Sequence, residues 1–424
     1  MISWIIQINY NKLILEVTMN KCSVEKKTLV NQILNRGVIK QILPSEEEFR
    51  ELLLSDKKLK IYIGADPTGD SLHLSHAKNF LLLEEFRQLG HEVFVLFGDL
   101  TACIGDPSEK SSARSKLTRA TAKKNAESWV NQISSLINFN CEENPARVVY
   151  NSTWFDEFSV TELLELFSNS TVQQMIERDM FQKRISSQKP IFLNEFLYPM
   201  FQGYDSVALD VDVELCGTDQ IFNALAGRDL LKKFKDKDKF VVAVNLMENP
   251  KNGTLMSKTN KTGVFLGTDP KTLFGQIMAQ PDEMIEVILV NNTRIPLDEI
   301  KKLDILNNPM KAKLFTAQEI TKIFYGPEAA IKEYENFINT FSKKTFSKDA
   351  EIIESNQKEI SLMELIIHCM PNESKSNVRR LIIQKAVSVN GEKIEDEEKK
   401  FDLEKMDELK IKIGKKRFYE VVYK

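Results

Sequence analysis

Two short apolar runs, Lys60 to Ala65 (KIYIGA) and Val93 to Phe97, flank a stretch of helical periodicity, and this arrangement constrains the fold more than any other part of the chain. The first run is β-rich and stops at a turn, Asp66-Pro67-Thr68-Gly69. From Leu74 to Leu89 the residues Leu74, Ala77, Phe80, Leu81, Leu83 and Phe86 fall near helical spacing, and Gly90 suits a helix C-terminus. Strand, turn, helix, strand is the start of a βαβ unit, which implies parallel strands covered by helices. Further on, Val211, Val213 and Leu215 alternate with Asp210, Asp212 and Glu214. That period of two reads as a strand with Asp210 and Asp212 on its solvent face. It runs into Cys216-Gly217-Thr218-Asp219-Gln220 and a helix from Ile221 to Phe234, and Val241 to Leu246 is another strand. The expected class is α/β with a parallel sheet.

The remainder divides by pattern. Residues from about Val24 to Glu51 read as helix with a break at Pro44, and Asn249 to Thr262 as a loop. Thr272 to Thr340 is mostly helical, Phe341 to Gln357 is polar and Lys/Ser-rich and reads as a linker, and a small module follows. The expected division is an extension over 1–23, a sheet domain over 24–265, a helical domain over 266–341, a linker over 342–357 and a small α+β module over 358–424. A chain of 424 residues fits two or three domains. With 42% apolar residues and only 16 Gly and 13 Pro, it is neither disordered nor collagen-like. Lys and Arg total 58 against 61 Asp and Glu, which excludes a uniformly basic nucleic-acid binder but leaves room for local basic patches. The five Cys (Cys22, Cys103, Cys141, Cys216, Cys369) are odd in number and scattered, which argues against disulfides or zinc and for a reducing compartment. No apolar run reaches membrane-spanning length. Met1 to Val17 is mildly apolar without a basic start, so a dispensable extension is a better reading than a signal peptide, and Met19 is an alternative first residue.

Several groups are candidates for chemistry. A helix that starts after a parallel strand offers unpaired N–H groups and a positive dipole end, which suits phosphate. His73 and His76 lie at that mouth, three apart and on one side, with Thr68 nearby. Taken alone, this reads better as a polar helix start capped by Asp66 or Thr68. Lys258, in a loop after Gly253, suits a lysine that closes over a triphosphate, or simply an exposed loop residue. Tyr198, Gln202 and Asp205 stand at i, i+4 and i+7, one polar stripe on a helix, with Pro199 requiring a helix start or kink; a solvent face has the same spacing. Near the C-terminus, Ser374 to Ile382 reads as a helix start bearing Arg379 and Arg380, and Val387 to Glu392 as a strand into an Asn-Gly turn. Lys375, Arg379, Arg380 and Lys385, with a second cluster at Lys415, Lys416 and Arg417, suit RNA phosphates; the acidic run Glu395 to Glu398 shows that a merely charged surface fits too.

The run Tyr62 to His76 closely resembles the "HIGH" signature of class I aminoacyl-tRNA synthetases, with Ser75 where the family has Gly. Leu255-Met256-Ser257-Lys258-Thr259 resembles the second signature, KMSKS, with Leu255 for its first lysine, Thr259 for its last serine and Lys258 at its second lysine. Glu195 to Asp205, Cys216 to Gln220 and Ile104-Gly105-Asp106-Pro107-Ser108 are similar to bacterial-type tyrosyl-tRNA synthetases, with Cys216 where the family has Gly. The resemblance implies a Rossmann-like parallel-sheet catalytic domain, a helical domain contacting the anticodon stem, and a small RNA-binding module like that of the fourth ribosomal small-subunit protein. It implies that Tyr62 and Asp205 hold the phenol of tyrosine, that Asp106, Tyr198 and Gln202 hold its ammonium, that Gln220 contacts its carboxylate end, and that Asp66 lines the pocket. Gly64, Gly217 and Asp219 would contact the ATP ribose and nearby backbone, and Thr68, His73, His76 and Lys258 the phosphates. Cys216 would then set a larger side chain beside the ribose. ATP, with magnesium, is implied as substrate, with no tightly bound cofactor and no dedicated metal site. Tyrosine and tRNA are the other implied partners, no membrane is involved, and a cytoplasmic homodimer is expected. A tryptophan-specific relative and a catalytically degenerate RNA-binding scaffold are the alternatives.

Overall fold

The computed structural model describes residues 26–107, 117–256, 262–343, 350–371, 373–390, 392–405, 409–414 and 417–423. The N-terminal extension, Ser108, Lys258, Thr259, Lys415 and Lys416 lie outside the described residues. Contacts divide the chain into two compact units between Ala330 and Ile331.

The first unit opens with α1 (Lys26–Asn35), β1 (Ile39–Leu43) and α2 (Glu46–Leu54). The single broken helix expected here is thus helix, strand, helix. Val30, Leu34, Val38 and Ile42 are all buried and stand four apart, so the strand continues the helix's apolar spacing and is hidden in it. Gly37, at φ +87°, ends α1, and Ser45 caps α2 by accepting from the Glu48 amide at 3.2 Å.

Then come β2 (Lys60–Ala65), α3 (Leu74–Gln88), β3 (Glu92–Phe97), α4 (Arg119–Ile133), β4 (Arg147–Tyr150), α5 (Leu193–Leu209), β5 (Val213–Gly217), α6 (Ile221–Lys235) and β6 (Phe240–Val244). The sheet order is β1-β6-β5-β2-β3-β4, with only β1 antiparallel to its neighbour. Tyr62 is in register with Phe94 on one side and Glu214 on the other. Because helices cover both faces, β5 has no solvent side, and the expected exposure of Asp212 is corrected, while Asp210 keeps a part-exposed side chain. Asp212 is buried, accepts from the Lys60 amide at 2.9 Å and pairs with Lys57 and Lys237. Asp210 is the left-handed C-cap of α5, and Glu214 is buried.

Pro199 sits inside α5 without ending it. Where α5 crosses α6, Gly203 faces Gly227: a Cβ at position 203 would lie 3.1 Å from the Gly227 Cα and 2.8 Å from Leu230. The helices Pro270–Met278, Met284–Asn292 and Leu297–Lys301 follow, then α7 (Pro309–Lys343), which is broken at Gly326 (φ 84°) before Pro327.

The second unit contains β7 (Glu351–Ser355), β8 (Glu359–Ser361), α8 (Leu362–Cys369), α9 (Lys375–Ile383), β9 (Val387–Val389), β10 (Glu392–Lys393), β11 (Lys400–Asp402), β12 (Leu409–Ile413) and β13 (Arg417–Tyr423). Five strands form a sheet in the order β10-β9-β12-β13-β7, while β11 pairs with β8. Leu365, Ile366, Val378, Ile382, Ile411 and Val421 are among its core residues. The stretch expected as a linker therefore carries β7. As an edge strand it pairs on one side only, and with Ile352 65% exposed it lacks the alternation that marks a half-buried strand. Among the described residues no helix is long and apolar enough to cross a membrane.

Candidate active site

β2 and β5 lie side by side, but the chain leaves β2 through α3 toward β3 and leaves β5 through α6 toward β6. A parallel sheet whose connections part in this way has a crevice beyond the C-terminal ends of those strands. Gly64 at the end of β2, the Asp66–Gly69 turn, Gly98 after β3, and Gly217, Asp219 and Gln220 after β5 all fall there.

The turn is held from several sides. The Thr68 amide donates to the Asp66 carbonyl at 2.8 Å, Asn125 Nδ2 to the Pro67 carbonyl at 2.9 Å, and Gln132 Nε2 to the Asp70 carbonyl at 2.8 Å. α3 then starts at His73, whose amide donates to His76 Nδ1 at 3.3 Å, the two rings lying 4.0 Å apart between centroids. Burial, and then the neighbouring His73 and Lys78, hold the His76 imidazole well below the usual histidine range. A neutral ring that accepts at Nδ1 carries its proton on Nε2, so His76 is a hydrogen-bond donor without a net charge. Thr68 and Gly64 are exposed, and a Cβ at Gly64 would meet nothing nearer than 3.7 Å. The chain on both sides of residues 257–261 is tied down. The Met256 amide donates to the Met247 carbonyl at 2.9 Å, Thr262 Oγ1 to the Leu255 carbonyl at 2.9 Å, and the Leu74 amide to the Val264 carbonyl at 3.0 Å. The segment that follows Lys258 is thus bonded to the helix start bearing His73 and His76.

The other expected residues form a polar wall. Tyr198 Oη donates to Asp66 Oδ2 at 3.1 Å, and Thr101 Oγ1 donates to Asp66 Oδ1 at 2.7 Å. Gln220 Nε2 donates to Asp106 Oδ2 at 2.7 Å. Asn223 Nδ2 bridges Gln220 Oε1 (2.8 Å) and Gln202 Oε1 (2.9 Å), and Gln202 Nε2 reaches Glu214 Oε1 at 3.2 Å. Tyr62 Oη lies 2.9 Å from Ser206 Oγ, which reaches the same glutamate. Trp154 Nε1 donates to Asp205 Oδ1 at 3.1 Å. Tyr62 is 1% and Asp205 3% exposed, so the stripe on α5 faces inward and the solvent-face reading falls. Burial raises the Asp205 carboxyl well above the usual range, and Asp66 and Glu214 add to the effect; burial likewise raises the phenols of Tyr62 and Tyr198. Asp219 is raised by burial and then by Asp106, and a Cβ at Gly217 would overlap its Oδ1.

The family model described as tRNA synthetases class I (W and Y) matches residues 54–342, and that of the tyrosine–tRNA ligase SYY-like C-terminal domain matches 342–421. The tyrosine–tRNA ligase of Aquifex aeolicus is 37% identical over 391 residues, covering 92% of this chain and 98% of the relative. That of Thermotoga maritima is 35% identical over 395 residues, covering 92% and 96%. The chain belongs to the tyrosine–tRNA ligases. Solved structures agree on the fold of this tyrosine–tRNA ligase family member. A C-terminally truncated mitochondrial tyrosyl-tRNA synthetase of Aspergillus nidulans superposes with a TM-score of 0.63 at 21% identity, covering 74% of this chain and 94% of that one. The tyrosyl-tRNA synthetase of Archaeoglobus fulgidus complexed with L-tyrosine gives 0.56 at 18% identity, covering 73% and 100%.

Two departures of this ligase from the family strings take on structural meaning. Cys216 packs with Ala224, Val241 and Ala243, and burial raises its thiol; it lies in the core, not at the crevice, so the crowding expected of it is corrected. Leu255 bridges to Glu248 and its carbonyl holds Thr262. Sequence reasoning missed Thr101, Trp154, Ser206, Glu214, Asn223, Lys239 and Lys78. Only Ser206 had a legible signal, standing four residues after Gln202 on the same helix. Lys78, 2% exposed on α3, is lowered to about 7 by burial, against which Asp219 acts. Among the described residues no group of three or more His, Cys, Asp or Glu side chains is placed to hold a metal ion. In the second unit Lys375, Arg379, Arg380 and Lys385 lie on or beside α9, whereas Arg417 opens β13 and pairs with Glu373. Arg379 pairs with Glu397 at 2.7 Å, Lys385 with Glu395 at 2.7 Å, Arg380 donates to Asn377 Oδ1 at 2.6 Å, and Lys375 is exposed.

Gly98 makes the Asp66–Thr101 bond possible, because a Cβ there would overlap both Asp66 Oδ1 and Thr101 Oγ1. Gly98→Ala is expected to cost about 1–3 kcal/mol, the range for overpacking. It should also loosen the carboxylate to which Tyr198 donates. Denaturant melts paired with tyrosine KM check both effects.

Proposed function

We propose that this chain activates L-tyrosine with ATP and transfers the tyrosyl group to the 3′ end of its tRNA. In the first step the tyrosine carboxylate attacks the α-phosphorus, the bond to the bridging oxygen breaks, and pyrophosphate leaves. In the second, a terminal ribose hydroxyl of tRNA attacks the carbonyl carbon and AMP leaves. Neither step needs a protein nucleophile; positioning and charge stabilisation suffice.

The observation that best supports this reading is the polar wall itself. Its hydrogen bonds run without a break from Asp106 through Gln220, Asn223, Gln202 and Glu214 to Ser206 and Tyr62, with buried Asp205 alongside. A wall of carboxylates, amides and a phenol suits a ligand with a hydroxyl at one end and an ammonium at the other. Tyr62 and Asp205 take the phenol. Asp106, Tyr198 and Gln202 take the ammonium, with Asp66 lining the pocket, and Gln220 takes the carboxylate end. Gly64, Gly217 and Asp219 take the nucleoside; Thr68, His73, His76 and Lys258 take the phosphates, and magnesium enters with the triphosphate. Residues 24–265 carry the chemistry, 266–341 meet the anticodon stem, and Lys375, Arg379, Arg380 and Lys385 meet tRNA phosphates. We also assign the chain to the cytoplasm as a homodimer. Val160, Leu164, Val172, Phe192 and Leu193, all exposed apolar side chains of one stretch of chain, support a partner surface there, and sedimentation equilibrium tests it.

ATP–pyrophosphate exchange with tyrosine, tryptophan and phenylalanine tests the activity. Exchange with tyrosine is expected. Exchange with tryptophan alone would point to the tryptophan-specific relative, and none with any amino acid to the scaffold. His76→Ala removes a donor aimed at developing charge, so kcat for adenylate formation should fall about a hundredfold, with a much smaller change in ATP binding. Equal losses in pre-steady-state measurements would make His76 a ground-state contact only.

A further inference from the structure

Among the described residues two lysines are buried, Lys239 just before β6 and Lys78 on α3. A buried ammonium is tolerated where a counter-charge and hydrogen-bond acceptors meet it. Lys239 has both: its Nζ pairs with Glu214 Oε2 and donates to Ser206 Oγ at 2.6 Å. Lys78 is as deeply buried, at 2% exposed, without that company. Its Nζ donates to Asn79 Oδ1 at 3.1 Å, and among the described residues no carboxylate stands within ion-pair distance of it. An ammonium has three hydrogens to give, so two are left without an acceptor. No step of the proposed reaction uses this lysine.

Its position says what kind of partner would suit it. Lys78 follows His76 by two residues on the helix that starts at the Asp66–Gly69 turn. Its charge is felt by His76 on its own helix and by Asp219 after β5. Those are residues taken above to meet the phosphates and the nucleoside. The acids farther along α3 are engaged with arginines, Glu84 with Arg87 and Glu85 with Arg294. The lysine thus lies under the nucleotide end of the crevice with Asp219 as the carboxylate that acts on it. Burial lowers its ammonium to about 7, so at pH 8 the ligand-free protein holds mostly the neutral amine. A triphosphate entering this end brings negative charge, which favours the protonated form of a neighbouring amine.

We propose that Lys78 is a buried counter-charge for the nucleotide, its amine taking a proton from solvent as ATP binds and returning it when the nucleotide leaves. Only an N–H bond forms and breaks, and the buffer supplies the proton. The proposal rests on the tyrosine-activating reading and makes Lys78 a positioning residue for the triphosphate. It separates the two ends of the crevice: nucleotide affinity depends on this proton and tyrosine affinity does not.

The test is calorimetric titration of the full chain with magnesium-ATP, without tyrosine, in buffers of different ionisation enthalpy, which counts protons taken up. At pH 8 the wild type is expected to take up more than about half a proton per ATP, and Lys78→Met almost none. In pyrophosphate exchange, KM for ATP should rise about fivefold from pH 7.5 to 8.5 in the wild type and less than about twofold in Lys78→Met, with KM for tyrosine the same in both proteins. No uptake by the wild type overturns the proposal, and that measurement needs no variant. Equal uptake by the two proteins, or a KM for tyrosine that shifts with the substitution as much as that for ATP, overturns it too. A wild-type chain that does not exchange with tyrosine overturns the reading beneath it instead.

Discussion

An Asp205→Ala variant is expected to lose on the order of 10- to 150-fold of its preference for tyrosine over phenylalanine, the equivalent of about 1.5–3 kcal/mol for a hydrogen bond to a charged group. Asp205 is buried next to Tyr62 and is held from behind by Trp154 Nε1. Phenylalanine in that place brings no hydroxyl to the Asp205 carboxyl, which keeps only the donors the protein itself supplies. The same residue should burden the ligand-free protein. Burial, Asp66 and Glu214 raise its carboxyl in the folded state, so the native protein holds this proton more tightly than the unfolded chain does. As pH rises from the unfolded value, about 3.9, toward the raised folded one, the unfolded chain binds fewer protons and stability falls. The loss is complete above the folded value. Asp205→Asn can keep the Trp154 bond and removes the charge. It is therefore expected to melt higher than the wild type, with the larger gain at pH 8 than at pH 5. Paired thermal scans and exchange assays check the two halves; a variant that melts lower at both pH values, or unchanged preference in Asp205→Ala, would show that the carboxylate is placed differently in the working pocket.

Lys78→Met should give the largest change in stability, with the opposite dependence on pH. Its ammonium is lowered from 10.5 to about 7 because it is buried, with Asp219 offsetting part of the cost. Below pH 7 the lysine is charged in both states and the cost of burying that charge is fully felt. Between about 7 and 10.5 the unfolded chain holds a proton that the folded protein does not, so wild-type stability rises with pH. The gap corresponds to an upper limit on the order of 4–5 kcal/mol. Lys78→Met is accordingly expected to stabilise most near pH 6, with the advantage shrinking toward pH 10. Urea melts across that range measure it, and a gain independent of pH would mean that added apolar packing, not relief of a buried charge, is responsible.

What could be read from the residues alone follows from how locally each feature is encoded. β2, the Asp66–Gly69 turn, α3 and β3 follow one another directly, each with its own period and punctuation, and the α5 stripe is a matter of helical spacing. Features that depend on the rest of the fold were out of reach. β1 hid because its apolar residues continue the four-residue steps of α1. Asp212 read as solvent-facing because alternation cannot distinguish an exposed acid from one paired across a sheet with a lysine far along the chain. Lys78 and Lys239 look like ordinary charges until helices are packed over them. Which way Cys216 points is decided by the covering helix α6, not by its neighbours in sequence.

The meeting of Gly203 with Gly227 has a consequence for anyone who would redesign the pocket. α5 carries Tyr198, Gln202 and Asp205, while α6 carries Asn223, with Gln220 just before it. With main chain against main chain, the two rods share one hinge-free joint, and a single added methyl group would wedge it open. Room for a bulkier amino acid therefore has to be carved from side chains around the cavity, since the scaffold itself has no slack to lend.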